Sequence, residues 1–128
     1  MNTKKVLFLI LGVGVVSTVG YFLIQKNILN NTCPRIESTQ IIEIKDNSFN
    51  PENIVIKKCS KVAFKNSTSS DHWPASNFHP THGIYPEFDP LEGIEPGKEW
   101  SFVFDKVGKW RYHDHLFPAV RGEIQVYE

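Results

Sequence analysis

After Cys33, apolar residues recur at every second position in one short segment after another. Ile42 and Ile44 alternate in this way, and so do Trp100, Phe102 and Phe104. Alternation with a period of two gives a half-buried β-strand one apolar face, whereas an amphipathic helix has a period near 3.6 residues. The pattern predicts strands at residues 39–45, 53–57, 61–65, 100–104, 110–113 and 123–127. The expected fold is all-β, a small antiparallel sandwich or barrel, with no helix longer than two turns after Cys33.

Turn-forming residues separate these segments, as at Pro51, Pro96-Gly97 and Gly108. Residues 66–93 differ from the rest because they are rich in proline, lack a clear period and contain three of the five histidines. Connections of this length inside a compact domain usually carry function or are disordered. We interpret this segment as functional.

The N-terminal region contains an uncharged and almost wholly apolar stretch at residues 6–24. That length suits one helix across a bilayer, and no small-residue cleavage site follows it, although a cleaved signal peptide is the alternative. Lys4 and Lys5 precede the stretch and predict a cytoplasmic N-terminus. We therefore expect a single-pass anchor in the inner (cytoplasmic) membrane at 1–26, a linker at 27–38, and a domain at 39–128 on the periplasmic or other extracytoplasmic side.

The charge balance makes nucleic acid an improbable partner. The chain has 14 basic and 14 acidic residues, and three of the basic ones precede Cys33, so 11 basic face 14 acidic residues in the exported part. A nucleic-acid-binding domain typically carries a basic excess.

Cys33 and Cys59 are the only cysteines. An even number in an exported chain predicts one disulfide, which should stabilise the fold by roughly 3 kcal/mol on the loop-entropy model. If the pair is oxidised, no thiolate remains to bind a metal.

All five histidines lie between positions 72 and 115, which favours a metal site. His113 and His115 should project to one face of an extended strand, while Asp114 projects to the other. Asp114 can support a histidine ring or ligate directly. His79 and His82 either close over the metal or belong only to the loop. The candidate ligands are His72, His79, His82, His113, His115 and Asp114, with His72, His113 and His115 expected to dominate affinity.

Several motifs in this order resemble the cupredoxins. They are Phe49-x-Pro51, the segment from Val62 to Asn66 followed by His72, Gly108-x-Trp110-x-Tyr112, and Gly122-x-Ile124-x-Val126. The resemblance covers 39–128 and implies a Greek-key β-sandwich with a mononuclear copper site. It assigns His72 to the first histidine ligand, whereas Asp114 occupies the position of the usual thiolate and no methionine matches the axial ligand.

These departures make a blue copper site improbable, since such a site needs a thiolate with two imidazoles. The sequence His113-Asp114-His115 is similar to the His-x-His strands of multicopper oxidases, and His72-Trp73 to part of their His-Trp-x-His element. In those enzymes the histidines hold coppers shared between two domains, so the similarity implies a second copy of this chain in a homo-oligomer.

The expected function is that of a membrane-tethered protein that holds Cu(II), or alternatively Zn(II), through histidines in a non-blue site. Its role would be copper handling or electron transfer with a redox or copper-delivery protein as partner. We identify no catalytic residue and no substrate pocket in the sequence. The alternatives are a histidine-metal oxidoreductase built at an oligomer interface and a metal-free β-sandwich interaction module.

Overall fold

The computed structural model describes residues 33–128, and the predicted anchor at 1–26 lies outside them. The described residues form eight β-strands, which are β1 (Thr39–Lys45), β2 (Ser48–Asn50), β3 (Asn53–Lys57), β4 (Ser60–Asn66), β5 (Pro74–Ser76), β6 (Glu99–Phe104), β7 (Gly108–Asp114) and β8 (Arg121–Tyr127). Within 33–128 there is no helix, which agrees with the prediction of none longer than two turns. It follows that no described helix is long and apolar enough to cross a membrane.

The strands form two four-stranded sheets, in the orders β2-β1-β4-β6 and β3-β8-β7-β5. The expected sandwich is present, but the expectation that it is antiparallel was wrong for two pairs, because β1 pairs in parallel with β4 and β3 pairs in parallel with β8. Parallel neighbours need a long connection, and here the chain visits the opposite sheet before it returns. Between β1 and β4, for example, it passes through β3. Each sheet is therefore mixed.

All six predicted strands are present, with ends that shift by no more than two residues. The two additional strands, β2 and β5, have only three residues each. Such short segments cannot show a period. β5 is nevertheless central to the site, since it pairs with β7 and brings residues 74–76 beside the C-terminal end of that strand.

The core between the sheets is strongly aromatic. Phe64 of β4 contacts Tyr112 of β7 edge-on, with 5.5 Å between ring centroids. Two further core residues, Tyr85 and Phe88, come from the long connection between β5 and β6 and are almost completely buried. Phe88 stacks on Trp100 of β6, and the Tyr85 hydroxyl donates to Asp105 Oδ1 at 2.5 Å. The histidine-bearing connection is thus anchored in the core.

The predicted disulfide between Cys33 and Cys59 is present. The segment before β1 is also bound to the domain by hydrogen bonds, because the Glu37 amide donates to the Cys59 carbonyl at 3.0 Å and the Ser38 hydroxyl to the Ser60 hydroxyl at 2.8 Å. With both thiols oxidised, no cysteine sulfur in 33–128 is free to bind a metal.

Candidate metal centre

The end of β7 supplies two histidines to one face. His113 lies opposite Ala75 in the β5–β7 pair, and beyond the strand the His115 amide donates to the Trp73 carbonyl at 2.7 Å. This bond ties His115 to the residue that precedes β5, although β7 itself ends at Asp114. His113 and His115 meet on one face while Asp114 lies on the other, as the sequence predicted.

The segment after β5 brings two more histidines over that face. It begins where the Asn77 amide donates to the Arg111 carbonyl at 3.0 Å, and it closes tightly where the His82 amide donates to the Phe78 carbonyl at 2.7 Å. His82 has a left-handed backbone conformation, with φ of 52°. The Ser76 hydroxyl donates to the His82 carbonyl at 2.6 Å and fixes this turn to β5.

Four histidines form a compact group: His79, His82, His113 and His115. Each offers one ring nitrogen, and these four atoms lie within 4.8 Å of one another. His79 Nδ1 is 3.3 Å from His113 Nε2, and His82 Nε2 is 3.0 Å from His115 Nδ1. Metal–nitrogen bonds of about 2.0 Å give neighbouring ligand atoms a separation of roughly 3 Å on a single ion. The two short pairs have this separation, so the group could hold a metal ion.

Hydrogen bonds on the far side of two rings select the nitrogen that faces this group. His82 Nδ1 contacts Asp89 Oδ2 at 2.5 Å, which leaves Nε2 facing His115. His113 Nδ1 contacts Asn77 Oδ1 at 3.0 Å, which leaves Nε2 facing His79. Partners of this kind fix the tautomer and orientation of a metal-binding histidine.

The electrostatics of the group favour neutral imidazoles. Burial, together with the nearby His82, His79 and His115, lowers the pKa of His113 to about 4. Burial and two of the same neighbours also lower the pKa of His115. A neutral imidazole is the form that binds a metal, so both rings are ready to act as ligands at neutral pH.

Asp89 is the charged group behind the site. Burial raises the pKa of its carboxyl, but hydrogen bonds from His82, the Leu91 amide and Trp73 outweigh that effect and hold the pKa below its ordinary value. The site therefore has a carboxylate in contact with one candidate ligand.

His72 and Asp114 lie outside the four-histidine group and face each other. His72 Nδ1 contacts Asp114 Oδ2 at 2.5 Å, and both side chains are almost completely buried. Asp114 Oδ1 also accepts hydrogen bonds from the backbone amides of Trp73, Leu116 and Phe117. The structure thus brings together four of the six predicted ligands and pairs the other two separately. The expectation that His72, His113 and His115 dominate affinity stays a prediction.

Three supporting residues were not found from the sequence: Asn77, Asp89 and Trp73. Trp73 stands against the His115 ring, with 4.6 Å between centroids, and its indole N–H donates to Asp89 Oδ1 at 2.7 Å. Apart from the similarity noted for His72-Trp73, the signal in the sequence was their position in the histidine-rich segment 66–93. Their contacts with particular rings depend on how that connection folds back over β7.

Several solved structures have a similar fold. The copper-containing nitrite reductase from Thermus scotoductus SA-01 matches with a TM-score of 0.61 and 23% identity over 70% of this chain, which corresponds to only 22% of the enzyme's length. A reduced amicyanin variant matches with a TM-score of 0.61 and 18% identity over 70% of this chain and 82% of its own. The Cu(I) form of another amicyanin variant matches with a TM-score of 0.60 and 19% identity over 73% and 87%.

No protein-family model matches the chain, and no curated protein sequence matches it either. At these identities the structural likeness establishes the fold alone. Residues 33–128 therefore have the cupredoxin fold that the sequence motifs resembled, together with a four-histidine cluster that could hold a metal ion.

Proposed function

We propose that this protein binds one Cu(II) ion through His79, His82, His113 and His115 and serves in copper handling outside the cytoplasm. The observation that carries the proposal is the convergence of four ring nitrogens within 4.8 Å of one another. Two of these rings also have hydrogen-bonded partners behind them, since Asp89 contacts His82 and Asn77 contacts His113. That second layer supports a site built for a metal.

The donor set supports copper in the divalent state. Imidazole suits Cu and Zn, and for a given nitrogen site Cu(II) binds more tightly than Zn(II). The soft sulfur ligands that favour Cu(I) are absent from 33–128, since both cysteines form the disulfide and the only methionine of the chain is Met1. Zn(II) fits the same four imidazoles geometrically, so metal identity is part of the test.

The exposure of the ligands favours uptake and release over electron transfer. His79 is exposed and His115 is half-buried, whereas His82 and His113 are buried. An incoming ion can therefore reach the site from solvent and meet two ligands that are already fixed. Rapid electron transfer needs a site that hardly rearranges between oxidation states, and sites with only nitrogen ligands generally rearrange more than thiolate sites.

Compartment and partners follow from the same reasoning. The disulfide supports an oxidising, extracytoplasmic location, and residues 6–24 would tether the domain to the membrane. A copper-delivery protein is the partner that such a role requires. One chain supplies all four ligands, so the site needs no second copy, in contrast to the oligomer that the similarity to multicopper oxidases implied.

Calorimetric titration of the metal-free protein tests the proposal. We expect one Cu(II) per chain, pale d–d absorption without an intense thiolate band, and a paramagnetic resonance spectrum with coupling to several nitrogens. His82→Ala and His113→Ala should each weaken binding by more than about 100-fold, beyond the usual effect of changing a supporting residue. A second titration with Zn(II) compares the two metals.

His72→Ala is the matched control, because it removes an imidazole that lies outside the group. It should leave the stoichiometry at one. If His72→Ala abolishes binding while His82→Ala has no effect, the metal lies at the His72–Asp114 pair and the proposed site is wrong. If the wild-type protein binds no metal, the sandwich is an interaction module and not a metal protein.

A further inference from the structure

Asp89 stands behind the four-histidine group and uses both carboxylate oxygens there. Oδ2 contacts His82 Nδ1 at 2.5 Å, while Oδ1 accepts from the Trp73 indole at 2.7 Å and from the Leu91 amide at 2.8 Å. Only about 11% of the side chain is exposed. These three contacts to its two oxygens hold the plane of the carboxylate in one orientation.

The contact with His82 determines how that ring can bind a metal. With Nδ1 donating its proton to the carboxylate, only Nε2 has a lone pair free, and that atom lies 3.0 Å from His115 Nδ1 in the group. A carboxylate in this position also makes the imidazole a stronger donor to the metal. Asp89 therefore holds His82 in one tautomer and one orientation.

The contact with Trp73 extends the same influence to a second ligand. The indole ring lies 4.6 Å from the His115 ring, tilted by 36°, and also meets His82 edge-on at 6.4 Å. Asp89 accepts the hydrogen bond from the indole N–H and so limits the movement of the Trp73 ring. The His115 ring packs against that ring. Two of the four candidate ligands thus depend on this one side chain.

Asp89 differs in charge from Asn77, which supports His113. Asn77 offers a neutral amide oxygen to His113, whereas Asp89 offers a carboxylate to His82. Four neutral imidazoles leave the full charge of the ion uncompensated. A negative charge one ring away attracts a divalent ion more strongly than a monovalent one, and it acts in a partly buried setting where screening is weak.

We propose that Asp89 is a positioning residue that makes the four-histidine site favour Cu(II) over Cu(I). This inference rests on the function proposed above, because it requires copper to bind at the group.

The test compares Cu(II) and Cu(I) affinities of the full chain and its Asp89→Asn variant, each measured by competition with a chromogenic chelator. The amide can accept from His82 or from Trp73, but it carries no charge. We expect Cu(II) affinity to fall about 10- to 100-fold and Cu(I) affinity to fall by a clearly smaller factor, so that the reduction potential rises.

Glu92→Gln is the matched control, since it removes one negative charge from an exposed residue three positions along the same connection. It should change neither the Cu(II) affinity nor the Cu(I) affinity. Equal losses of Cu(II) and Cu(I) affinity in Asp89→Asn would mean that Asp89 supports the structure without favouring Cu(II), which overturns the proposal. Unchanged affinities would overturn it as well. Failure of the wild-type chain to bind copper would instead overturn the proposed function.

A measurement on the wild-type chain keeps the inference testable if the Asp89→Asn variant does not fold. Nitrogen-15 NMR of the Zn(II)-loaded protein, which is diamagnetic, distinguishes the two nitrogens of each histidine. We expect His82 to bind Zn(II) through Nε2 and to keep a slowly exchanging proton on Nδ1. A metal bound at Nδ1 of His82, or a freely exchanging Nδ1 proton, would contradict the role of Asp89.

Discussion

At the scale of single residues, the position of His113 makes the metal-free protein sensitive to acid. Its folded pKa is lowered to about 4 by burial and by the neighbouring imidazoles, whereas an unfolded histidine titrates near 6.5. The unfolded chain therefore takes up a proton first as the pH falls. The stability that comes from this neutral ring is fully present above pH 6.5 and is lost progressively between about 6.5 and 4.

We expect the free energy of unfolding of the metal-free protein to fall by about 2 kcal/mol over that range through this group. Urea denaturation at pH 7 and at pH 4.5 measures the loss. His113→Asn removes the titrating ring and should flatten the difference between the two pH values. An identical loss in the variant would show that other groups cause the acid sensitivity.

The alternation of side chains along β7 was readable residue by residue from the sequence. It placed His113 and His115 on one face and Asp114 on the other, and the structure has this arrangement. The direction of His72 was not readable, because it depends on an isolated bridge between His72 and Ile94. That contact joins two poorly patterned segments 22 positions apart, and no local signal specifies it.

At the scale of elements, the connection between β5 and β6 combines core and site. Phe88 is completely buried between the sheets, one position before Asp89. Truncation to alanine leaves a cavity, so Phe88→Ala should lower the free energy of unfolding by about 3–5 kcal/mol. It should also weaken Cu(II) binding, because the same connection carries His79 and His82. Thermal denaturation and calorimetric titration measure the two effects.

Phe78→Ala is the control on the same connection, since Phe78 is 69% exposed and lies directly before His79. It should change stability by no more than about 0.5 kcal/mol. Comparable losses in the two variants would mean that the connection is not anchored through Phe88.

The long strands were predictable because each has one buried face and at least five residues in which a period can show. β2 and β5 were not, and neither was the parallel pairing of β1 with β4. The two short strands and the parallel pairing all depend on how the chain passes between the sheets. The arrangement of the four histidines was therefore the hardest feature to predict, because β5 places the histidine-bearing turn over β7.

At the scale of the whole molecule, the disulfide joins the entry of the domain to the start of β4. It closes a loop between positions 26 residues apart, so the loop-entropy model gives roughly 3 kcal/mol of stabilisation. We expect Cys33→Ser with Cys59→Ser to lower the free energy of unfolding by about that amount while Cu(II) stoichiometry stays at one. Urea denaturation and titration of the double variant check both points. A lost copper equivalent would return cysteine to the ligand set.

The His72–Asp114 pair and the four-histidine group lie on opposite sides of β7, and this separation has an evolutionary consequence. Asp114, at the end of β7, faces His72, whereas the histidines on either side of it face the four-histidine group. A substitution at position 114 changes one neighbourhood while the other keeps its ligands. Descendants of such a chain can therefore lose, regain or exchange the chemistry on one face of the strand while selection preserves the other.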